Sequence, residues 1–456
     1  MRRSGMVALM LWVGVATPCF AAVTVDTTRI AHGVRAWYAA DEAVPVVDVL
    51  LSFEGAGTTS DTEDKGGRAA FAAAMLTEGA GALDAVAFGR ALDDRAITLE
   101  MRASDDRLTV HVRCLREHAV RAGELLALAL SQPQLMDADA LRIKTEMGAQ
   151  LAALEESPGY HARRLLEQRA FAGHPYANPP IGTRASLQAL SANDVRDYLK
   201  TYVTRGNVLI AAAGDVDSGL LDDMLTPTLD ALAENDAGAV AITPIAMQGA
   251  GEVLRETLAV PQSVVLFAAP GVARDDPRFY AAYLLDHILG GNGLVSRLGE
   301  QVRQQQGLAY HAATSLDIRR GTALITGKMA TRNSQRDAAI AAMKEVLEAL
   351  RTKGVSTSEC ADAKSYVLGS LPLRLDNSAA IAEMLLSMQI DHLDTDYLEQ
   401  RAALFEKVSC EDINREAAEL LQPARVLIAV VGGTADAAAP ASAPVHGAAH
   451  SGDDVR

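Results

Sequence analysis

Aromatic side chains are scarce in this chain: two Trp, ten Tyr and eight Phe among 456 residues. Its cores must therefore be built from Ala, Leu and Val, and a hydrophobic content of 49% is ample for that. Clustered basic residues are absent. With 58 acidic against 42 basic side chains the net charge is −16, which argues against nucleic acid as a partner. Long apolar runs are missing as well. No segment reaches the roughly 20 residues that span a bilayer, so stable membrane insertion is not expected. Cysteine is limited to four residues with no CxxC or Cys/His cluster. That pattern excludes a disulfide framework and offers no cysteine-based metal site.

The first residues carry an address. Arg2 and Arg3 precede the apolar run Met6 to Ala16, and Ala21 or Ala22 stands where a leader would be cut. A signal peptide over 1–22 and a periplasmic or extracellular home are expected. Cleavage removes Cys19 and leaves Cys114, Cys360 and Cys410. An odd count cannot pair completely, and buried free thiols are expected, with pairing of Cys360 and Cys410 left open.

Length suggests two to four domains. Val44 to Phe53 reads as a largely buried strand. A helix follows from about Gly67 to Thr77, with Gly79 as its stop, and a second covers Ala85 to Leu92. Ile97 to Ser104 and Arg107 to Arg113 read as a hairpin around Asp105-Asp106. Helices are expected from about Leu115 to Leu130, Asp137 to Glu156 and Tyr160 to Phe171.

One unit occurs twice. Ser191 to Gly214 aligns without a gap to Ser409 to Gly432, with seven identities in 24 positions. Both begin on a Ser-x-x-Asp capping signature and end on a buried strand. Val260 to Gly271 is the counterpart of Val44 to Phe53. The offset of about 218 residues (409 minus 191) means a duplicated domain rather than a solenoid. The fold class expected is α+β, in two tandem homologous domains, each a mixed or antiparallel sheet packed with helices. The expected division is 23–235, a linker at 236–250, 251–434, and a disordered Ala/Pro/Gly-rich tail at 435–456.

Ser296 to Ser315 carries the most specific local pattern. Ser296 suits an N-cap, and Leu298 and Val302 give the helix an apolar face. Gly307 can stop it with φ > 0, returning Leu308 onto Val302. Arg303 then lies in the last turn and Tyr310 near the start of a strand. Two readings stand: an exposed Arg that suits the helix dipole beside a half-buried Tyr, or a pair of donors brought together.

These strings resemble the pitrilysin and mitochondrial-processing-peptidase family of zinc peptidases. Gly173 to Asp217 looks like its HPYG…GT…L…D…Y…N…VGD segment, and Ser296 to Tyr310 like its SRL…LR…GLAY segment. The resemblance runs from about Val23 to Gly433 and implies two domains forming half of a clam. Catalytic members carry HxxEH on the first long helix. Two His at i and i+4 hold the metal and a Glu activates water. Here Ala70, Ala73 and Ala74 stand at those positions, and Gln150 is the match for the downstream Glu. No HxxEH or HExxH occurs anywhere in the sequence. His174 is expected to be a turn residue, and the run Gly290 to Gly293 a tight helix–helix turn.

The resemblance also implies that Arg303 and Tyr310 line a catalytic cleft, contacting the substrate backbone and the carbonyl under attack. Family members that divide the labour put HxxEH on one chain and the Arg/Tyr pair on the other. This sequence is expected to be the second kind: no cofactor of its own, zinc in a homologous HxxEH-bearing partner, peptides as substrate, and no peptidase activity alone. Isolated, it is expected to be able to pair with a second copy of itself. The alternative is a peptide-binding or structural protein without a peptidase partner.

Overall fold

The computed structural model describes residues 23–234 and 242–434. The expected leader, the expected tail and the first part of the expected linker lie outside the described residues.

In the first half the strands are β1 (Asp26–Arg29), β2 (Arg35–Ala40), β3 (Val46–Glu54), the short pair β4 (Gly79–Ala80) and β5 (Leu83–Asp84), β6 (Thr98–Ala103), β7 (Arg107–Leu115) and β8 (Val208–Gly214). Its helices are α1 (Arg68–Met75), α2 (Ala85–Asp93), α3 (Ala119–Ser131), α4 (Asp137–Glu155), α5 (Pro158–Ala170), α6 (Arg184–Ala189), α7 (Ala192–Tyr202) and α8 (Ser218–Ala231). The second half has β9 (Val253–Thr257), β10 (Gln262–Pro270), β11 (His311–Arg319), β12 (Thr322–Arg332) and β13 (Leu427–Gly432). Around them lie α9 (Phe279–Asp286), α10 (Arg336–Lys353), α11 (Thr357–Arg374), α12 (Ser378–Ile390), α13 (Tyr397–Glu406) and α14 (Cys410–Leu420).

The duplication is visible in the sheets. The first runs β1-β2-β8-β3-β7-β6 and the second, taken from its other edge, β9-β13-β10-β12-β11. Strand for strand the second repeats the first without β1. In each, one neighbouring pair is parallel, β2 with β8 and β9 with β13, and the remaining pairs are antiparallel. The capping signatures form as expected. Ser191 and Asp194 close a reciprocal box at the start of α7, and Ser409 and Asp412 do the same at α14.

Both central strands are nearly continuous apolar runs because both faces are covered. On β3, Val47, Val49, Leu51 and Phe53 face the main core of the first half, while Leu50 turns to a second cluster with Trp37, Ala211, Leu385 and Leu386. That second cover is α12, which comes from the other half of the chain. On β10, Val265, Phe267 and Ala269 face the core of the second half. Val264, Leu266 and Ala268 face α5, which comes from the first half. Each half thus lends a helix to the outer face of the other's sheet. Polar ties follow the exchange: Gln389 donates to Ile210 O at 2.9 Å, and His161 Nδ1 meets Glu256 Oε1 at 2.6 Å.

The described part of the inter-domain segment is irregular but tied down. Ile245 N–H donates to Gly321 O at 3.0 Å and Gln248 N–H to Ala170 O at 2.9 Å. Ile242, Ile245 and Met247 pack beside α5. Pro158 starts α5 as well as separating it from α4, with Ser157 accepting from Tyr160 N–H as the cap.

The cysteine expectation is corrected. Cys360 and Cys410 form a disulfide joining α11 to α14, with Cα atoms 5.9 Å apart, and Cys114 is the buried free thiol. Fifty residues separate the pair, so only the fold could bring the two together.

Candidate functional site

The first helix is anchored where a metal helix would be. Gly67 adopts φ +86°, and a Cβ there would lie 2.4 Å from Ile181 O, so only glycine fits. The Asp61 carboxylate accepts from Gly67 N–H at 3.0 Å and Ala69 N–H at 3.1 Å. Burial pushes its pKa up to about 7, with the Arg68 charge and those two amides acting the other way. The Arg68 guanidinium lies 5.1 Å from the centre of the Tyr202 ring.

On this helix Ala70 and Ala74 are half-buried and Ala73 is buried. Ala70 and Ala74 are one turn apart, so they share a face as the i, i+4 spacing requires. Helix α4 packs alongside α1 through Ile143, Met147 and Leu151, and Gln150 stands exposed on it. The two helices are brought side by side, but the residues at these positions do not fit a metal. Methyl groups have no lone pair, and the amide of Gln150 carries no charge. Among the described residues no group of three or more His, Cys, Asp or Glu could hold a metal ion. The nearby carboxylates are otherwise engaged: Glu146 accepts from Arg142 at 2.8 Å, and Glu155 pairs with Arg184.

Three of the scattered histidines are engaged by neighbouring side chains or backbone. His174 Nε2 donates to Thr243 O at 3.1 Å while its Nδ1 accepts from Tyr176 N–H at 3.2 Å, so it is the expected turn residue. His111 bonds Asp48 at 2.7 Å. His287 stacks on Tyr366 with ring centres 4.9 Å apart. Burial and the Arg374 charge hold its pKa below the usual histidine value.

The second half presents Arg303 and Tyr310. Ser296 Oγ accepts from Gly299 N–H at 3.1 Å, capping the helix as expected. Residues Gly299–Gln305 wind as a π-helix, which sequence periodicity does not reveal. Gly307 stops it at φ +61°, and Leu308 N–H reaches back to Val302 O at 3.0 Å. The helix packs against β11. The Gly290 to Gly293 run ends a π-turn over His287–Gly291 and opens a 3-10 turn over Gly293–Val295, so it is a tight connection.

Arg303 is exposed and, among the described residues, has no hydrogen-bond or ion-pair partner. Tyr310 is 49% exposed. Its amide donates to Ala330 O at 2.8 Å, and its hydroxyl oxygen accepts from Arg332 Nε at 2.9 Å. Sequence reasoning missed Arg332, because 22 residues separate it from Tyr310 and only the pairing of β11 with β12 joins them. What the two side chains can do is donate. A guanidinium and a phenol hydroxyl suit a carbonyl oxygen that gains negative charge.

Known proteins resemble this chain in sequence and fold. The model of the peptidase M16 inactive domain matches residues 189–367. A protein of Helicobacter pylori named as the non-peptidase homolog YmxG is 28% identical over 337 residues, covering 74% of this chain and 77% of that one. The crystal structure of a peptidase M16 inactive domain from Pseudomonas fluorescens superposes with a TM-score of 0.83 at 25% identity, covering 90% of this chain and 98% of that one. Pitrilysin shares the fold, with a TM-score of 0.72 at 15% identity over 90% of this chain and 45% of its own.

Proposed function

Since this chain matches the peptidase M16 inactive domain over residues 189–367 and shares its fold, we propose that it is the non-catalytic subunit of a periplasmic zinc endopeptidase. A homologous HxxEH-bearing chain is its partner. Residues 23–235 and 251–434 are the two peptidase-like domains, and the partner completes the enclosure. Substrates are peptides or small unfolded proteins.

The observation that supports this reading is an asymmetry between the halves. The metal positions of α1 hold only methyl groups, whereas Arg303 and Tyr310 stand exposed with donors to spare. A protein that only filled space would have no use for them. Zinc in the partner supplies a Lewis acid and an activated water. Arg303 and Tyr310 hold the peptide and donate to the carbonyl oxygen as it becomes an oxyanion. Losing one such donor typically costs about 3 kcal/mol of transition-state stabilisation. The edge strand β6 lies beside α1 and offers backbone groups to an extended peptide, a sequence-tolerant mode of binding.

The test is reconstitution. The purified chain should bind zinc only substoichiometrically and leave peptides intact. Mixed with its partner it should give metal-dependent cleavage, and Arg303→Ala or Tyr310→Phe should lower kcat by about 10²- to 10³-fold. Full activity of the isolated chain overturns the reading. A second reading, a peptide-binding or structural protein without a peptidase partner, draws support from the name of the Helicobacter pylori relative. It gains if native pull-downs return only unrelated envelope proteins.

A further inference from the structure

Three hydrogen bonds tie the segment carrying Tyr310 to the end of β12. Thr331 Oγ1 donates to Leu308 O at 2.6 Å, Tyr310 N–H donates to Ala330 O at 2.8 Å, and Arg332 Nε donates to Tyr310 Oη at 2.9 Å. The backbone on either side of Arg332 is fixed. Thr331 is fully buried. Asn333 donates from Nδ2 to Val260 O at 2.8 Å, while its Oδ1 accepts from Ser263 Oγ at 2.8 Å and Gly433 N–H at 3.1 Å. An exposed guanidinium therefore springs from a strand end that is held on both sides.

Its partner there is unusual. Acidic side chains outnumber basic ones, 58 to 42. Yet Arg332 makes no ion pair among the described residues and spends its Nε–H on a neutral phenol. Guanidinium has donors only, and a phenol has one O–H with acceptor lone pairs. Tyr310 must then be the acceptor in this bond, and its single hydrogen points elsewhere. Among the described residues nothing else takes that hydrogen. A cationic donor on the phenol oxygen also polarises the O–H and strengthens it as a donor.

We propose that Arg332 is a positioning residue for Tyr310: it fixes the ring and aims the hydroxyl hydrogen outward, at a peptide carbonyl oxygen. The inference rests on the assignment of Arg303 and Tyr310 as substrate-contacting donors. Arg332 itself need not touch substrate. Its loss should weaken the step in which the oxyanion forms and leave peptide binding nearly intact.

Two measurements test this. In the isolated full-length chain, 3-fluorotyrosine placed at position 310 is followed by 19F NMR, with a thermal melt to establish folding. Arg332→Met should move the resonance, Arg332→Lys should restore part of the shift, and Arg303→Met should leave it in place. In the complex with the HxxEH-bearing partner, Arg332→Met should lower kcat by about tenfold and change KM by less than about twofold. In a Tyr310→Phe background the same change should cost less than about twofold, because the hydroxyl it positions is gone. A resonance indifferent to Arg332→Met, or additive losses in the double variant, overturns the proposal. A cleavage rate indifferent to Tyr310→Phe overturns the subunit reading instead, and the fluorine shift then reports separately whether Arg332 orders Tyr310.

Discussion

Ser378 donates its hydroxyl hydrogen to Asp48 Oδ2 at 2.6 Å across 330 positions of sequence. Asp48 lies on β3 with no exposed surface, and Ser378 is the first residue of α12. The bond therefore joins the sheet of one half to the helix lent by the other. His111 at 2.7 Å and Arg113 at 3.3 Å complete the carboxylate's partners. Removing one of them leaves part of a buried charge unmatched. Ser378→Ala should lower stability by about 1–3 kcal/mol, read as a fall in the urea midpoint with an unchanged m-value. A neutral result would mean that water reaches the carboxylate in the helix's place.

Two buried aspartates should respond to pH in opposite directions. Burial acts to raise the Asp48 pKa, but hydrogen bonds from His111 and Ser378 and the Arg113 charge hold it below the usual carboxylate range. Its contribution is present above the unfolded pKa of about 4 and is lost as pH falls through the lower folded value. Asp286 is the reverse. Burial pushes it up to about 7, opposed only by a hydrogen bond from Thr314. Its penalty is absent below about 4 and grows as pH rises to about 7. Asp48→Asn should therefore flatten the acid limb of a stability–pH curve below pH 4. Asp286→Asn should raise Tm at pH 8, with the gain vanishing as pH is lowered towards 4. A gain equal at both pH values would show that folding does not raise the Asp286 pKa.

The exchange of α5 and α12 makes the halves interdependent. Expressed separately, 23–235 and 236–434 should each expose an uncovered sheet face and aggregate. Co-expressed, they should purify together as one folded complex. In the intact chain, Leu385→Ala should cost about 2–5 kcal/mol. Two independently soluble monomeric halves would contradict the exchange.

The Cys360–Cys410 disulfide closes a separation of 50 residues. The chain-entropy argument puts its stabilisation at about 4 kcal/mol. Cys360→Ser should lower Tm to about that of the reduced wild type, and reductant should then have no further effect. An oxidised wild type that melts with the reduced one would mean that the bridge forms without stabilising the fold.

Local structure was largely legible in the sequence. Capping boxes, the Gly307 stop and the buried strands are written in short-range patterns, and the repeat of Ser191–Gly214 in Ser409–Gly432 foretold the matching sheets. That Ala70, Ala73 and Ala74 offer no metal donor is equally plain from the letters alone. What stayed hidden is long-range. Helix α5 shows an apolar stripe but not whose sheet it covers. Cys360 and Cys410 look like two buried thiols until α11 and α14 are packed. Arg332 is one exposed arginine among many until β12 is laid beside β11.

The lent helices carry one more consequence. Each is a cover that belongs to its neighbour, so turning one half against the other would strip both sheets at once. Among the described residues, the packing of the two halves offers no inexpensive hinge between them. If the proposed assembly encloses a substrate, the parting needed to admit it would run along a seam outside this chain.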